Sequence, residues 1–103
     1  MAFAILHHFP GGTKAQYEAT ITTLHGPEGA LPEGQLFHVA GAVPGGWEVF
    51  AIHDSKASWE KFRDGTLVPR LQAGIEGGFN TPPEETEIEV SSIVQSPALA
   101  EAL

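Results

Sequence analysis

Five histidines are the residues of this sequence whose side chains titrate nearest to neutral pH. His7 and His8 are adjacent in an apolar stretch, His38 lies within a second apolar stretch, and His53 ends a third. An imidazole held among apolar residues stays neutral and accepts a proton, which suits general acid–base catalysis. The candidate catalytic residues are therefore His38, His53 and His7. His38 comes first because it falls in the middle of a predicted strand, where the backbone would hold it rigidly.

Each of these histidines has a structural role as its alternative, in which the ring bonds to a backbone carbonyl or a carboxylate. Strand alternation places the neighbours His7 and His8 on opposite faces, so only one of them can line a given cavity. His25 falls at the end of a predicted helix, where it is expected to be a surface residue or a favourable C-terminal charge. A metal site formed by His7, His38 and His53 is a weaker alternative, and we expect neither a metal nor another cofactor.

Aromatic residues are numerous for a chain of 103 residues. Trp47 opens a predicted strand and Tyr17 lies in the first predicted helix, so the two can flank a pocket, and Phe37 adjoins His38. An aromatic-lined cleft with a few polar groups is an ordinary small-molecule site. We expect these three residues to bind the substrate, whereas Trp59 and Phe62 are expected to pack against the sheet.

The chain alternates strand-like and helix-like segments. Residues 2–9 form a short apolar strand, and Thr13 with Gln16 has the spacing of a capping box at a helix start. Tyr17, Ile21 and Leu24 then repeat on one helical face. The sequence His-Gly-Pro at 25–27 is expected to end this helix.

The middle of the chain predicts a β-hairpin that leads directly into a helix. Residues 35–43 and 47–53 are apolar strands around a Pro-Gly-Gly turn, and Asp54-Ser55 is a helix N-cap. The helix is expected to continue to about Asp64 and to be interrupted by Gly65. A further short helix with Pro69 near its start should follow, and residues 86–94 should form the last strand.

This order, β-α-β-β-α-β, predicts a ferredoxin-like α+β fold with a four-stranded antiparallel sheet and both helices on one face. Alternation assigns Leu36, His38, Ala40 and Ala42 to one face of the first hairpin strand. It assigns Phe37, Val39, Gly41 and Val43 to the other. Because neither face is polar throughout and the helices cover only one, a second copy of the chain is expected to cover the other as a homodimer.

Composition limits the partners. The chain is expected to form one domain over residues 1–95, followed by a short tail over residues 96–103. Acidic residues number 13 against 5 lysines and arginines, giving a formal net charge of −8, and the basic residues are dispersed. Nucleic acid and membranes are therefore not expected as partners. The absence of cysteine fits the cytoplasm, and no signal peptide is expected.

Three segments together resemble a known family: FHVAGAVPGGWEVFAIHDSKASWEKF, with LHHFPGGTKAQYEA before it and LVPRL after it. They are similar to the small dimeric α+β barrel proteins related to antibiotic-biosynthesis monooxygenases, over roughly residues 3–94. The resemblance implies that two sheets pack face to face and that each subunit keeps a pocket between its sheet and its helices. Many of these relatives have Trp at the position of His53, so this chain departs from their pattern there.

The resemblance implies a small-molecule-binding protein that acts on a small planar apolar compound, aromatic or polyketide-like. It suggests a cofactor-independent monooxygenase or isomerase with a histidine base. The alternative is a non-catalytic ligand-binding or assembly protein whose histidines are structural.

Overall fold

The computed structural model of the chain describes residues 1–26 and 30–102. The predicted helix stop at Pro27, the first two residues of the loop after it and the last residue of the tail lie outside the described residues. The elements in chain order are β1 (Phe3–Pro10), α1 (Lys14–His25), β2 (Gln35–Val43), β3 (Gly46–His53), α2 (Lys56–Phe62), a π-helical stretch (Arg63–Leu67), α3 (Val68–Ala73), β4 (Glu84–Glu89) and a short 3-10 helix (Pro97–Ala102).

The four strands form one antiparallel sheet in the order β2-β3-β1-β4, which confirms the predicted ferredoxin-like α+β fold. Residues opposite one another in the register share a face. His38 pairs with Ala51, and His7 pairs with Val49, so these side chains lie on the same face as His53. That face is covered by the helices, because Trp59 of α2 packs against Phe3, Ile5 and Ala51.

A β-bulge at the start of β2 changes the predicted side-chain alternation. Gln35 pairs with His53, but Phe37 already pairs with Ile52, so Leu36 is the extra residue of the bulge. Leu36 is consequently 58% exposed, whereas Gln35 is buried beside His53. The expectation that Leu36 shares a face with His38 was wrong, since strict alternation does not extend across a bulge.

The first helix begins as its sequence predicts. Thr13 is the N-cap and accepts a hydrogen bond from the Gln16 backbone N–H, while the Gln16 side chain accepts one from the Thr13 backbone N–H. Both bonds satisfy N–H groups that the helix itself leaves free. The cap therefore fixes where the face carrying Tyr17 meets the sheet.

The second helical region differs from the prediction at Gly65. Ser55 is the N-cap of α2, as expected, but the helix is not interrupted at Gly65. It widens into the π-helical stretch and continues into α3, whose start accommodates Pro69. A glycine lowers helix propensity by only about 1 kcal/mol, which packing of Phe62 and Leu67 on the core offsets.

The last strand is shorter than predicted and begins earlier, since β4 spans Glu84–Glu89 and not residues 86–94. All six of its residues are exposed, as expected for an edge strand rich in glutamate. The charges also protect this edge from pairing with other chains.

The sheet face opposite the helices, which we call the open face, is mostly apolar. It carries apolar residues of all four strands: Ala4, Leu6, Val39, Phe50, Ile52 and Ile88. Val39 is 52% exposed and Ile88 is 42% exposed. No helix in the described part of the chain is long and apolar enough to cross a membrane.

Candidate functional site

A cavity of about 50 Å³ lies between the sheet and the helices. Apolar side chains from β1, β3 and the helices form most of its wall. The polar groups that line it are four histidines, His7, His25, His38 and His53, together with Gln35, Tyr17 and Thr20. This is the composition of a small-molecule site, in which a few polar groups orient an otherwise apolar ligand.

The three histidines predicted for catalysis all line this cavity, each from a different strand. The hairpin register brings them together, since it places His38 opposite Ala51, two residues from His53. His8 lies on the open face instead, where Glu48 is 3.4 Å away. The prediction that only one of His7 and His8 can line the cavity agrees with this arrangement.

Four polar side chains form a continuous hydrogen-bonded chain along one wall. The Tyr17 hydroxyl lies 2.7 Å from Nε2 of His38, and Nδ1 of His38 lies 3.1 Å from Oε1 of Gln35. Nε2 of Gln35 lies 3.4 Å from Nε2 of His53. The bulge in β2 makes this chain, because it turns Gln35 toward the interior between the two histidines.

Burial keeps the cavity histidines neutral. Desolvation, together with repulsion between the positive charge that His38 would carry and those of protonated His25 and His53, lowers the pKa of His38 to about 4. Desolvation also lowers the pKa of His25 and of His53. Burial raises the pKa of Tyr17. At neutral pH this wall therefore holds uncharged rings and a protonated phenol.

His7 has a different environment from His38. Its Nε2 lies 3.1 Å from a carboxylate oxygen of Glu85 on the edge strand. Desolvation lowers the His7 pKa, while the bond and the charge of Glu85 oppose that shift. Since a carboxylate occupies one ring nitrogen, His7 is less available to a ligand than its position suggests.

The aromatic residues predicted to bind substrate separate in the structure. Tyr17 lines the cavity. Trp47 does not line it but packs against Tyr17, and the centroids of these two rings lie 5.2 Å apart. Phe37 pairs with Ile52 and lies on the open face, on the other side of the sheet from the cavity. Phe37, which was expected to bind substrate with His38, therefore does not line this cavity, because adjacent residues of a strand face opposite ways.

Sequence reasoning missed several residues of the cavity. His25 lines it, and its ring centroid is 5.6 Å from that of His38, although a helix-end histidine was expected at the surface. Gln35 was missed because a bulge is not visible in an alternating pattern. Phe79 lies in the loop before β4 and stacks on Phe9 at 3.8 Å, a contact that no local periodicity signals.

A wider cleft adjoins the cavity on the side of α3 and the loop before β4. Its volume is about 840 Å³, and it shares Phe9, Leu67, Leu71 and Phe79 with the cavity wall. These four apolar side chains separate the cavity from the cleft. A ligand larger than the present cavity of about 50 Å³ therefore requires these side chains to move.

No three His, Asp or Glu side chains among residues 1–26 and 30–102 are grouped closely enough to hold a metal ion. The weaker alternative of a three-histidine metal site therefore has no geometric support there. His38 and His53 instead bond to the amide group of Gln35 between them.

Comparison with known proteins identifies the fold but no family. No protein-family model matches the chain, and no curated protein does. Among solved structures, Rv0793 from Mycobacterium tuberculosis is similar with a TM-score of 0.64 and 14% identity, over 92% of this chain and 100% of that one. A monooxygenase from the gene ActVA-Orf6 of Streptomyces coelicolor, in complex with nanaomycin D, has a TM-score of 0.58 and 15% identity, over 92% of each chain. These likenesses agree with the predicted ferredoxin-like α+β fold and its four-stranded antiparallel sheet.

Proposed function

We propose that this protein binds a small planar apolar compound in the histidine-lined cavity and acts on it without a cofactor, as a monooxygenase or an isomerase. The observation that carries the proposal is the bond of 2.7 Å between the Tyr17 hydroxyl and His38 within an apolar cavity. The similarly folded monooxygenase in complex with nanaomycin D supports a small-molecule ligand for this fold.

The proposed chemistry is removal of a proton from a carbon next to a carbonyl group. The Tyr17 oxygen has a free lone pair that accepts this proton, while the hydroxyl proton passes to Nε2 of His38. The electron pair of the broken C–H bond moves to the carbonyl oxygen and forms an enolate. Tyr17 and His38 thus act as one base, and the phenol keeps its neutral form throughout.

The enolate has two fates. In an isomerase, the proton returns from the Tyr17–His38 pair to a different carbon, and no other reactant is needed. In a monooxygenase, the enolate reduces dioxygen. One oxygen atom enters the carbon as a new carbonyl group, the other leaves as water, and the two hydrogens of the original CH₂ group go to that water.

The test uses β-tetralone, a bicyclic ketone with an enolisable benzylic carbon, in buffered D₂O. We expect the protein to accelerate deuterium incorporation at that carbon, measured by proton NMR, and His38→Gln to lower the acceleration about 100-fold or more. Tyr17→Phe should lower it as well, whereas Thr22→Ala, an exposed change on the same helix, should not. An oxygen electrode in the same samples separates the monooxygenase from the isomerase. Equal exchange rates for His38→Gln and the unaltered protein would contradict the proposal.

A non-catalytic ligand-binding protein is the second candidate, and the electrostatics of the site favour it. His38 has a pKa of about 4, so it is a weak base, and both of its ring nitrogens are hydrogen-bonded. If β-tetralone binds but its benzylic protons exchange no faster than in buffer, this candidate replaces the enzyme.

We also propose that two copies associate through the open face. This face presents half-exposed aliphatic side chains such as Val39 and Ile88, which no helix in the described part of the chain covers. A sheet that is apolar on both faces gains stability when both are covered.

A further inference from the structure

We propose that the ring N–H of His53 and the indole N–H of Trp59 together bind one acceptor oxygen of the ligand, and that Gln35 is the positioning residue that keeps His53 in the donating tautomer. The inference rests on the proposed function, because it names the ligand class as a planar ketone whose carbonyl oxygen receives both donors. The base formed by Tyr17 and His38 lies in the same cavity.

The hydrogen-bonded chain along the wall has a single direction. Oε1 of Gln35 only accepts hydrogen bonds, so Nδ1 of His38, 3.1 Å away, carries the proton of that ring. Nε2 of His38 is then an acceptor, and the Tyr17 hydroxyl donates to it. The other end of the Gln35 amide is its NH₂ group, which donates to Nε2 of His53.

This direction fixes the proton of the neutral His53 ring on Nδ1. That N–H is buried and has no acceptor among the residues that the structure describes. His53 is fully buried and is one of the residues that line the cavity, and the proposal places its free Nδ1–H toward the ligand there. Leaving a buried donor unsatisfied is costly, which makes a matching acceptor on the ligand favourable.

Trp59, whose ring neighbours that of His53, supplies a second unpartnered donor. Its indole N–H also lacks an acceptor within the described part of the chain, and the side chain is 1% exposed. The centroids of the two rings lie 5.4 Å apart with a tilt of 60°. A ring separation of this size is compatible with both N–H groups reaching one oxygen at about 2.9 Å.

Two hydrogen bonds to one carbonyl oxygen would favour the proposed reaction. When a proton leaves the neighbouring carbon, negative charge develops on that oxygen, and preorganised N–H donors in a dry site stabilise such charge. His53 and Trp59 would then hold the enolate oxygen, while Tyr17 and His38 take the proton. A hydrocarbon of the same shape has no oxygen that could accept hydrogen bonds from these donors.

The first measurement needs no ligand. Nitrogen-15 NMR of the histidine rings distinguishes the two neutral tautomers, and we expect His53 in the Nδ1–H form in the unaltered protein. Gln35→Leu should abolish this preference while leaving the His7 spectrum unchanged. Finding His53 in the Nε2–H form in the unaltered protein would overturn the inference, because its free nitrogen would then be an acceptor.

The second measurement compares β-tetralone with tetralin, the hydrocarbon that lacks the carbonyl group, by isothermal titration. Trp59→Phe and His53→Phe should each lower the affinity for β-tetralone about five-fold relative to the affinity for tetralin. This is the effect expected from the loss of one hydrogen bond. Trp47→Phe is the matched control, since its indole N–H is equally buried and unpartnered among the described residues but does not line the cavity.

The outcomes separate this inference from the proposed function. If both compounds bind and the ratio of their affinities is the same in all variants, the donor pair is wrong and the proposed function stands. If neither compound binds the unaltered protein, the proposed function fails and the inference fails with it.

Discussion

His38 shows how burial and hydrogen bonding determine the chemistry of one side chain. Its ring is neutral at neutral pH because desolvation disfavours the imidazolium, and its two nitrogens have different partners, Tyr17 and Gln35. A ring held from both sides cannot rotate freely. In the proposed reaction, that rigidity keeps Nε2 of His38 hydrogen-bonded to the Tyr17 hydroxyl, which contacts the substrate.

The depressed pKa of His38 predicts how stability depends on pH. Its pKa is about 4 in the folded protein and about 6.5 in the unfolded chain, so the unfolded chain binds the proton more readily between these values. Stability is therefore full above about pH 6.5 and is lost as the pH falls toward about 4. Urea unfolding at about pH 7 and about pH 5 should show this loss, and His38→Gln should make it smaller. An equal loss in both proteins would contradict the assignment.

At the scale of elements, the sheet and α2 depend on one buried side chain. Trp59 is 1% exposed and packs on Phe3, Ile5 and Ala51. Trp59→Ala should destabilise the protein by about 3–5 kcal/mol, because it leaves a large cavity in the core. Leu31→Ala, at a half-exposed position, is the control and should have a much smaller effect. Nearly unchanged denaturant midpoints for Trp59→Ala would mean that this residue does not anchor α2.

Local patterns predicted most of these elements but not the residues that complete the site. The capping box at Thr13, the hairpin turn and the N-cap at Ser55 depend on neighbouring residues alone, and each appears in the structure. The bulge at Leu36 depends on pairing with β3, so the inward position of Gln35 was not predictable from β2. The continuation past Gly65 likewise depends on tertiary packing, and a propensity argument ended the helix there too early.

The two faces of the sheet have separate proposed roles. One face and the helices enclose the cavity, and the open face is proposed to join two copies. The chain carries a net charge of −8, which disfavours contact between copies except where apolar area outweighs repulsion. The open face is where such area is found.

The proposed homodimer predicts that a charge on the open face separates the copies. Val39→Lys should shift the protein from dimer to monomer in light scattering at micromolar concentration, because it places an ammonium group in the contact. Leu31→Lys introduces the same charge at a position off the sheet and should leave the dimer intact. A monomeric unaltered protein would rule out association through this face.

A crystal structure of the protein with β-tetralone bound would show whether the histidine-lined cavity is the ligand site. We expect the ring system to lie between the sheet and the helices, with its enolisable carbon against the Tyr17 hydroxyl. The carbonyl oxygen should lie within hydrogen-bond distance of His53 and Trp59. Difference density for the ligand only in the cleft beyond Phe79, or with its oxygen turned away from His53 and Trp59, would rule out this binding mode.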